Sequence, residues 1–284
     1  MKKLLLQLDS DRHPSAFDSI VAFDGGADEV LAYGGVDSGD VRGLVHGAIF
    51  TRGPKELRNT AIFIGGADLE AGETLLEKAR EAFFGPFRVA ILLDSNGSNT
   101  TAVAAVVKLE RAAGGVEGKR VLLLGGTGPV GKRAAALFAT AGAEVAITSR
   151  STATAERARR VVSGRFGVEV TPRAVDYPLE SAEDLEGADI VLSCGPPGVV
   201  LLKRSAWASE GPSVLGDLNA VPPLGIEGVE ATDDGASRDG ATTFGAFGVG
   251  GFKLKLHKAC IARLFERNDL VLDAETIFEL ARSL

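Results

Sequence analysis

The chain of 284 residues contains few of the residues that build disulfide frameworks or metal clusters. Its two cysteines, Cys194 and Cys260, lie far apart and lack Cys-x-x-Cys spacing. Such a pattern is typical of free thiols in a reducing compartment, and it argues against a disulfide scaffold or a zinc site. We therefore expect no metal ion in this protein.

The chain also lacks an excess of basic residues and any long apolar run. It carries 31 Lys and Arg against 38 Asp and Glu, for a formal net charge of −7. A nucleic-acid surface needs phosphate-neutralising cations in excess, so we expect no nucleic-acid partner. No stretch approaches the ~18 continuous apolar residues of a membrane span, and Gln7 and Asp9 interrupt the amino-terminal apolar run too early for a signal peptide. We expect a cytoplasmic protein without membrane association.

Glycine, by contrast, is abundant. The 36 glycines make up roughly 13% of the chain against a usual ~7%, and many lie in short clusters. Because glycine permits turns and close approach of the backbone, clusters of this kind indicate contact with a ligand.

Short apolar strands alternate with amphipathic helices, which predicts an α/β fold. We expect two α/β domains. The first covers residues 1–113, and the second, residues 114–254, is a Rossmann-type doubly wound parallel sheet. Residues 255–284 are expected to form a helical segment that packs back on the first domain.

The elements behind this prediction are eight strands and seven helices. The expected strands are Leu4–Leu8, Ala61–Gly65, Arg88–Leu93, Arg120–Leu124, Glu144–Thr148, Ala188–Ser193, Ser213–Asp217 and Thr242–Gly245. The expected helices are Ser15–Phe23, Leu69–Phe83, Ala102–Ala113, Val130–Ala141, Ala153–Phe166, Gly250–Phe265 and Asp273–Ser283.

A glycine motif follows the strand Arg120–Leu124. It runs Gly126-Thr127-Gly128-Pro129-Val130-Gly131 and opens a helix. In such motifs the first glycine allows a tight turn, the second lets the backbone approach a pyrophosphate, and the third allows close helix–sheet packing. The helix N-terminus offers amide donors to the phosphates. Because strand, motif, helix and next strand occur in the required order, we predict a dinucleotide-binding unit.

The end of the following strand bears on the choice of cofactor. NAD sites usually place Asp or Glu there to bind the ribose 2′-hydroxyl. This chain has Ser149-Arg150-Ser151 instead. The Arg150 guanidinium offers donors suited to a 2′-phosphate, and the two serine hydroxyls can add others. We predict NADP as cofactor, with NAD as an alternative.

A polar run, Asp94-Ser95-Asn96-Gly97-Ser98-Asn99-Thr100-Thr101, separates the strand Arg88–Leu93 from the helix Ala102–Ala113. It can be interpreted as a capped loop, since Ser, Thr, Asp and Asn cap helices. One cap requires only one such residue, however, and ligands bind at the carboxyl ends of strands in open α/β sheets. We therefore favour a ligand-contacting loop.

Several uncommon segments lie outside the glycine motif. They are Asp9–Asp11, Pro14–Asp18, Phe23–Asp28, Thr51–Gly53, Phe84–Arg88, Leu93–Thr101 and Gly248–His257. Together with Gly126–Gly131 they resemble the bacterial NAD(P)-dependent methylene-tetrahydromethanopterin dehydrogenases. The resemblance covers nearly the whole chain.

This resemblance implies hydride transfer from methylene-tetrahydromethanopterin to NADP, giving the methenyl product, in bacterial one-carbon metabolism. It also implies a homo-oligomer, a trimer or a multiple of trimers. The methenyl product is an amidinium-like cation, so hydride can leave without abstraction of a proton. No catalytic acid or base is therefore expected, and the protein contributes position and electrostatics.

The pattern of the family maps onto Phe17, Thr100, Thr101, Lys253 and His257 as substrate-binding residues. Phe17 would stack on the pterin, although core packing is an equal alternative. Lys253 and His257 are four residues apart and share a helix face. A permanent cation beside a carbon that becomes cationic would oppose the reaction, so Lys253 is assigned to positioning.

Asp18, Asp94 and Asn96 complete the expected substrate site. The two carboxylates are hypothesised to orient the pterin or to place negative charge near the developing cation. Asn96 belongs to the polar run that we expect to contact the ligand.

Two other functions stay open from the sequence. A methylene-tetrahydrofolate dehydrogenase is one, because both pterins present the same reacting carbon. The other is a non-catalytic NADP-binding sensor module, which would keep Gly126–Gly131 but would not need Asp94–Thr101 and Lys253–His257 to face a nicotinamide.

Overall fold

The computed structural model describes all 284 residues and contains two mainly parallel sheets flanked by helices, which confirms the predicted α/β class. One unit comprises residues 1–100 and 254–284, and the other comprises residues 101–253. We call these the first and second units. The first division therefore lies at residues 100 and 101, earlier than the expected 113, and the second at 253 and 254. None of the helices combines the length and apolar character that crossing a bilayer requires.

The first unit is built on a five-stranded parallel sheet. Its strands are β1 (Leu4–Asp9), β2 (Glu29–Gly34), β3 (Thr60–Gly65), β4 (Ala90–Leu93) and β12 (Val271–Leu272). They lie in the order β12-β4-β3-β1-β2. Its helices are α1 (Ala16–Asp24), α2 (Val41–Ile49), α3 (Leu69–Glu81) and α8 (Ala274–Arg282), while α4 (Ser98–Ala112) and α7 (Ala246–Leu264) contribute residues to both units.

The second unit is built on a seven-stranded sheet. Its strands are β5 (Arg120–Leu124), β6 (Glu144–Ser149), β7 (Thr171–Ala174), β8 (Ile190–Ser193), β9 (Val214–Asp217), β10 (Asp234–Arg238) and β11 (Ala241–Phe244). The order is β10-β11-β9-β8-β5-β6-β7, and only the β10–β11 pair is antiparallel. Its remaining helices are α5 (Pro129–Thr140) and α6 (Thr152–Phe166).

The central strands are buried along their whole length because both faces of each sheet are covered. All residues of β3 and β4 are buried, as are those of β8 and β9. Continuous burial of this kind is typical of parallel sheets between helical layers. In the first unit, one face packs Ile62, Ile64 and Ile91 against Val45 of α2 and Leu75 of α3.

The sequence analysis did not identify the strands β2, β7, β10 and β12 or the helix α2. Strand β2 lies at the sheet edge and is mostly exposed, so no burial pattern marks it. Helix α2 contains Gly43 and Gly47, which are poor helix formers, although Val41, Val45 and Ala48 are buried at helical spacing. The two-residue strand β12 pairs with β4, and with α8 it forms the C-terminal segment expected to return to the first domain.

The predicted loop Asp94–Thr101 is wrong in its second half. A single 3-10 turn spans Ser95–Gly97, and α4 begins at Ser98, four residues before the expected start. Thr100 and Thr101 therefore lie in the first turn of a helix. Helix α7 likewise begins at Ala246, before the expected Gly250.

In each sheet there is a point between two parallel strands at which the chain reverses its direction of progress across the sheet. In the first unit the reversal falls between β1 and β3, and in the second between β5 and β8. Ligands of open α/β proteins bind outside the carboxyl ends of the strands at such points, which are called topological switch points. The sequence-predicted residues can be located relative to these two points.

Candidate functional site

The glycine loop lies at the switch point of the second unit, directly after β5. Its left-handed turn is made by Gly125, whose φ is 62°, and not by Gly126 as the motif suggested. A Cβ on Gly125 would lie 2.9 Å from Cα of Gly195, which follows β8. The switch point therefore brings two glycine backbones into contact, and a side chain on Gly125 would separate them.

Gly126 and Gly131 are required by packing. A Cβ on Gly131 would lie 2.5 Å from both Cα and O of Gly126. A Cβ on Gly126 would lie 2.8 Å from Cβ of Leu123. Helix α5 can therefore cross the loop closely only because Gly131 lacks a side chain, which agrees with the role expected of the third glycine, while Gly126 is required by its contact with β5.

Gly128 has a different environment. It is the N-cap of α5 with an extended backbone, and no atom would lie within 4 Å of a Cβ placed there. Thr127, Pro129 and Val130 are partly exposed around it. Because the first amides of a helix have no acceptor within the helix, this open N-terminus can bind an anionic group. The residues present thus fit a dinucleotide pyrophosphate.

Ser149, Arg150 and Ser151 lie at the carboxyl end of β6, beside the switch point. Arg150 is exposed. Ser149 Oγ accepts a hydrogen bond from the Ser151 amide at 3.3 Å, and Ser151 Oγ caps α6 by accepting from the Thr154 amide at 3.3 Å. This strand end therefore presents a cation and an N-capped helix.

The switch point of the first unit contains residues that the sequence analysis did not select. Asp9 ends β1 and is 1% exposed; its carboxylate accepts from the amides of Asp11 at 2.9 Å and Ser15 at 3.0 Å. Gly66 has a φ of 93°, and a Cβ there would collide with Oγ of Ser10. The adjacent glycines after an apolar strand were a usable signal, since they mark a backbone that passes close to β1.

Asp18 and Phe17 lie at the start of α1, which Asp9 helps to fix through Ser15. Ser15 Oγ in turn caps the helix by accepting from the Asp18 amide at 3.2 Å. Oδ2 of Asp18 would lie 3.7 Å from a Cβ at Gly65, so the Asp18 carboxylate lies over the carboxyl end of β3. The Phe17 side chain is 52% exposed and is therefore not a core residue.

Asp94 and Thr100 lie together, but in a structural arrangement. Asp94 Oδ1 accepts from the amides of Asn99 and Thr100, each at 2.9 Å, and Oδ2 accepts from the Thr100 hydroxyl at 2.5 Å. Both side chains are buried. The Asp94 carboxylate thus satisfies the first amides of α4, which agrees with the helix-cap interpretation of this run.

His257 lies on α7, close to Phe17. Its imidazole is 1% exposed and stacks on the Phe63 ring with a centroid separation of 5.6 Å and an interplanar angle of 27°. The Phe17 ring centroid lies 6.3 Å away. His257 thus supports an aromatic cluster beneath the exposed Phe17.

The other predicted substrate residues are more exposed. Asn96 is exposed, has a φ of 56° and donates its amide to the Gly66 carbonyl at 2.6 Å, so it lies at the switch point of the first unit. Lys253 precedes His257 by one helical turn and is half-buried, as is Thr101 on α4. Thr101 and Lys253 belong to the second unit.

The structure therefore brings Phe17, Asp18, Asn96 and His257 close to one switch point and the glycine loop with Arg150 to another. A separate recess of about 630 Å³ lies at the amino ends of β5, β6 and β7, beside Arg120, and contains none of the predicted residues.

Both cysteines are free, and burial raises the pKa of the Cys194 thiol to about 12.

Comparison with known proteins gives a consistent assignment. Residues 16–96 match the family model described as methylene-tetrahydromethanopterin dehydrogenase, N-terminal. The chain is 50% identical over 285 aligned residues to "Bifunctional protein MdtA" of Methylorubrum extorquens, with 100% of this chain and 99% of that protein covered. It is 33% identical to "NAD(P)-dependent methylenetetrahydromethanopterin dehydrogenase" of the same organism, with 99% and 98% covered.

Among solved structures, the ligand-free 5-ketofructose reductase of Gluconobacter sp. strain CHM43 matches with a TM-score of 0.52. It is 17% identical, and the match covers 100% of this chain and 99% of that one. An ornithine carbamoyltransferase from Gloeobacter violaceus matches with a TM-score of 0.55 at 16% identity, over 93% and 86% of the two chains. At these identities the likeness concerns the fold alone.

The two glycines of the loop lead to opposite predictions. We expect Gly131→Ala to lower the free energy of unfolding by about 2–3 kcal/mol, because the added methyl overlaps the Gly126 backbone. We expect Gly128→Ala to leave unfolding within about 0.5 kcal/mol of the unchanged protein while weakening binding of NADPH, because its methyl projects into the open phosphate space.

Urea unfolding and fluorescence titration with NADPH measure the two effects. A Gly131→Ala protein as stable as the parent would show that the close approach of α5 to Gly126 is not a constraint. If the Gly128→Ala protein binds NADPH as tightly as the parent, the pyrophosphate does not bind at this loop.

Proposed function

This chain belongs to the methylene-tetrahydromethanopterin dehydrogenase family, and from that membership we propose that it transfers a hydride between methylene-tetrahydromethanopterin and NADP. The product in the oxidative direction is methenyl-tetrahydromethanopterin. The observation that carries the proposal is the open glycine loop at the second switch point, in a chain that is 33% identical over its length to an NAD(P)-dependent enzyme of that name.

The reaction requires little acid–base chemistry from the protein. NADP supplies the hydride acceptor, C4 of its nicotinamide. The methylene carbon becomes an amidinium-like cation stabilised by its two nitrogens, so no proton needs to be removed. The residues of this chain are therefore expected to position the two partners and to stabilise positive charge on the pterin.

On the cofactor side, the second unit supplies an anion-binding loop and a cation. The open helix N-terminus at Gly128 suits the pyrophosphate, and the exposed Arg150 suits a 2′-phosphate. No carboxylate lies in residues 148–155, where an acidic residue would favour the 2′-hydroxyl of NAD. These features support NADP over NAD.

On the pterin side, the first unit offers an exposed aromatic ring and a carboxylate. Phe17 suits stacking on a flat heterocycle, and its neighbour His257 supports it from beneath. The Asp18 carboxylate suits the amino and N–H donors of a pterin, and its charge favours the cationic product. Since Asp94 is occupied by the amides of α4, we assign the carboxylate role to Asp18. Asn96, Thr100, Thr101 and Lys253 remain proposed substrate residues.

We also propose a homo-oligomer that works in one-carbon metabolism in the cytoplasm. The edge strand β2 supports self-association, because Leu31 and Tyr33 are 44% and 39% exposed and the strand carries no charge after Glu29. An uncovered apolar edge of this kind is a template for pairing with another strand. Light scattering should accordingly give a molar mass above the 29.4 kDa of one chain.

The direct test is reduction of NADP with methylene-tetrahydromethanopterin, followed by absorbance of the reduced nicotinamide. We expect turnover with the methanopterin and a lower kcat/KM with methylene-tetrahydrofolate. A higher kcat/KM with the folate would replace the proposed substrate. Tight NADPH binding without turnover on either pterin would favour a sensor module.

Arg150→Ala tests the cofactor assignment. We expect the KM for NADP to rise roughly 10- to 100-fold, because a charge-assisted phosphate contact is lost, while the KM for NAD stays unchanged. Arg157→Ala, which removes an exposed arginine from α6 of the same unit, is the matched control and should change neither value. Equal losses for both nucleotides in Arg150→Ala would contradict a 2′-phosphate role.

Asp18→Asn tests the pterin assignment. The amide keeps the size of the side chain but loses its charge, so we expect the KM for the pterin to rise about tenfold with unchanged NADPH affinity. Glu77→Gln, on an exposed position of α3 in the same unit, is the control. If the two variants behave alike, Asp18 does not face the pterin.

A further inference from the structure

Tyr177 follows β7 and lies outside every motif in the sequence. It is one of only two tyrosines in the chain. Its ring packs against a buried cluster on one face of the second sheet, which includes Leu122, Leu124 and Leu215. That packing fixes the ring, so the position of its hydroxyl is determined by the core.

The Tyr177 hydroxyl bonds to the ends of two different strands. The Gly125 amide donates to its oxygen at 2.8 Å. Thr148 Oγ1 lies 2.5 Å from the same oxygen and donates its own hydrogen to the Leu123 carbonyl at 2.8 Å. Because a threonine hydroxyl has one hydrogen, Tyr177 must be the donor to Thr148. The bonds therefore run in one direction from Gly125 through Tyr177 and Thr148 to Leu123.

The two strand ends joined in this way carry the two halves of the proposed cofactor site. Gly125 immediately precedes Gly126 and the phosphate loop. Thr148 immediately precedes Ser149 and Arg150. One phenol oxygen thus couples the pyrophosphate loop to the strand end that presents the 2′-phosphate cation.

The phenol remains a donor under working conditions. Burial raises the pKa of Tyr177, while the charge of Arg150 acts in the opposite direction. The neutral hydroxyl therefore retains the hydrogen that it gives to Thr148.

We propose that Tyr177 is a positioning residue that determines cofactor specificity, because its hydroxyl holds the glycine loop and the Ser149–Arg150 strand end in a fixed relation. The inference rests on the proposed NADP site. NADP uses both strand ends, whereas NAD uses the glycine loop without a 2′-phosphate contact. Loss of the hydroxyl therefore weakens NADP binding more than NAD binding.

The test is Tyr177→Phe, which keeps the ring and its packing and removes one oxygen. We expect the Kd for NADPH, from fluorescence titration, to rise about tenfold and that for NADH by no more than about threefold. We expect kcat at saturating NADP to stay within about twofold, since the hydroxyl does not touch the reacting atoms. Arg157→Ala, at an exposed position of α6 in the second unit, should change none of these values.

Thr148 variants provide an independent check if the tyrosine variant folds poorly. Thr148→Val removes the hydroxyl that accepts from Tyr177, so it should reproduce the selective loss of NADPH affinity. Thr148→Ser retains a hydroxyl at this position and should bind NADPH as the parent does. The double variant should lose no more than either single variant, because both remove the same connection.

Unchanged NADPH affinity in Tyr177→Phe and Thr148→Val would overturn the inference. Equal losses of NADPH and NADH affinity would overturn it too, because they would indicate general damage to the unit. These titrations need no pterin. If the protein binds NADPH but oxidises no pterin, the proposed reaction is refuted, but the titrations still decide whether Tyr177 determines cofactor specificity.

Discussion

At each switch point two parallel strands lie side by side, and the chain that leaves one strand crosses the sheet in the opposite direction to the chain that leaves the other. Because crossover connections are right-handed, the segments that follow β1 and β3, or β5 and β8, lie on opposite faces of their sheet. The carboxyl ends of those strands are left without a helix above them. The phosphate loop and the Phe17–Asp18 helix start lie at the two openings that result, and glycines line both openings.

The glycines at these openings serve different physical purposes. Gly125 is needed for its left-handed backbone, and Gly131 for the contact of α5 with Gly126. Gly128 needs neither a left-handed backbone nor a close contact, since its backbone is extended and its surroundings are open. A glycine that the fold itself does not require is the one that indicates a ligand.

The sequence was sufficient to predict the α/β class, the second unit and its glycine loop, because continuous apolar strands and a motif between strand and helix are local signals. It was less informative where a residue's role depends on distant partners. Nothing near Tyr177 in sequence marks it, since Gly125 and Thr148 are reached only through the fold. The start of α4 was misplaced for a related reason: the polar side chains from Asp94 onward suit both a loop and a helix start, and the hydrogen bonds from the Asn99 and Thr100 amides to Asp94 are visible only in the structure.

Those hydrogen bonds also bear on the chemistry at the first switch point. A carboxylate that accepts hydrogen bonds from two backbone amides of the segment that follows it holds that segment in place, and so contributes to structure. Asp9 and Asp94 are both in this condition, and both are buried. Asp9 fixes the Ser15 amide, Ser15 caps α1, and α1 presents Asp18 over Gly65. Asp9 and Asp94 therefore build the frame at this opening, and Asp18, which that frame holds over Gly65, is the carboxylate that we propose to face a substrate that becomes a cation.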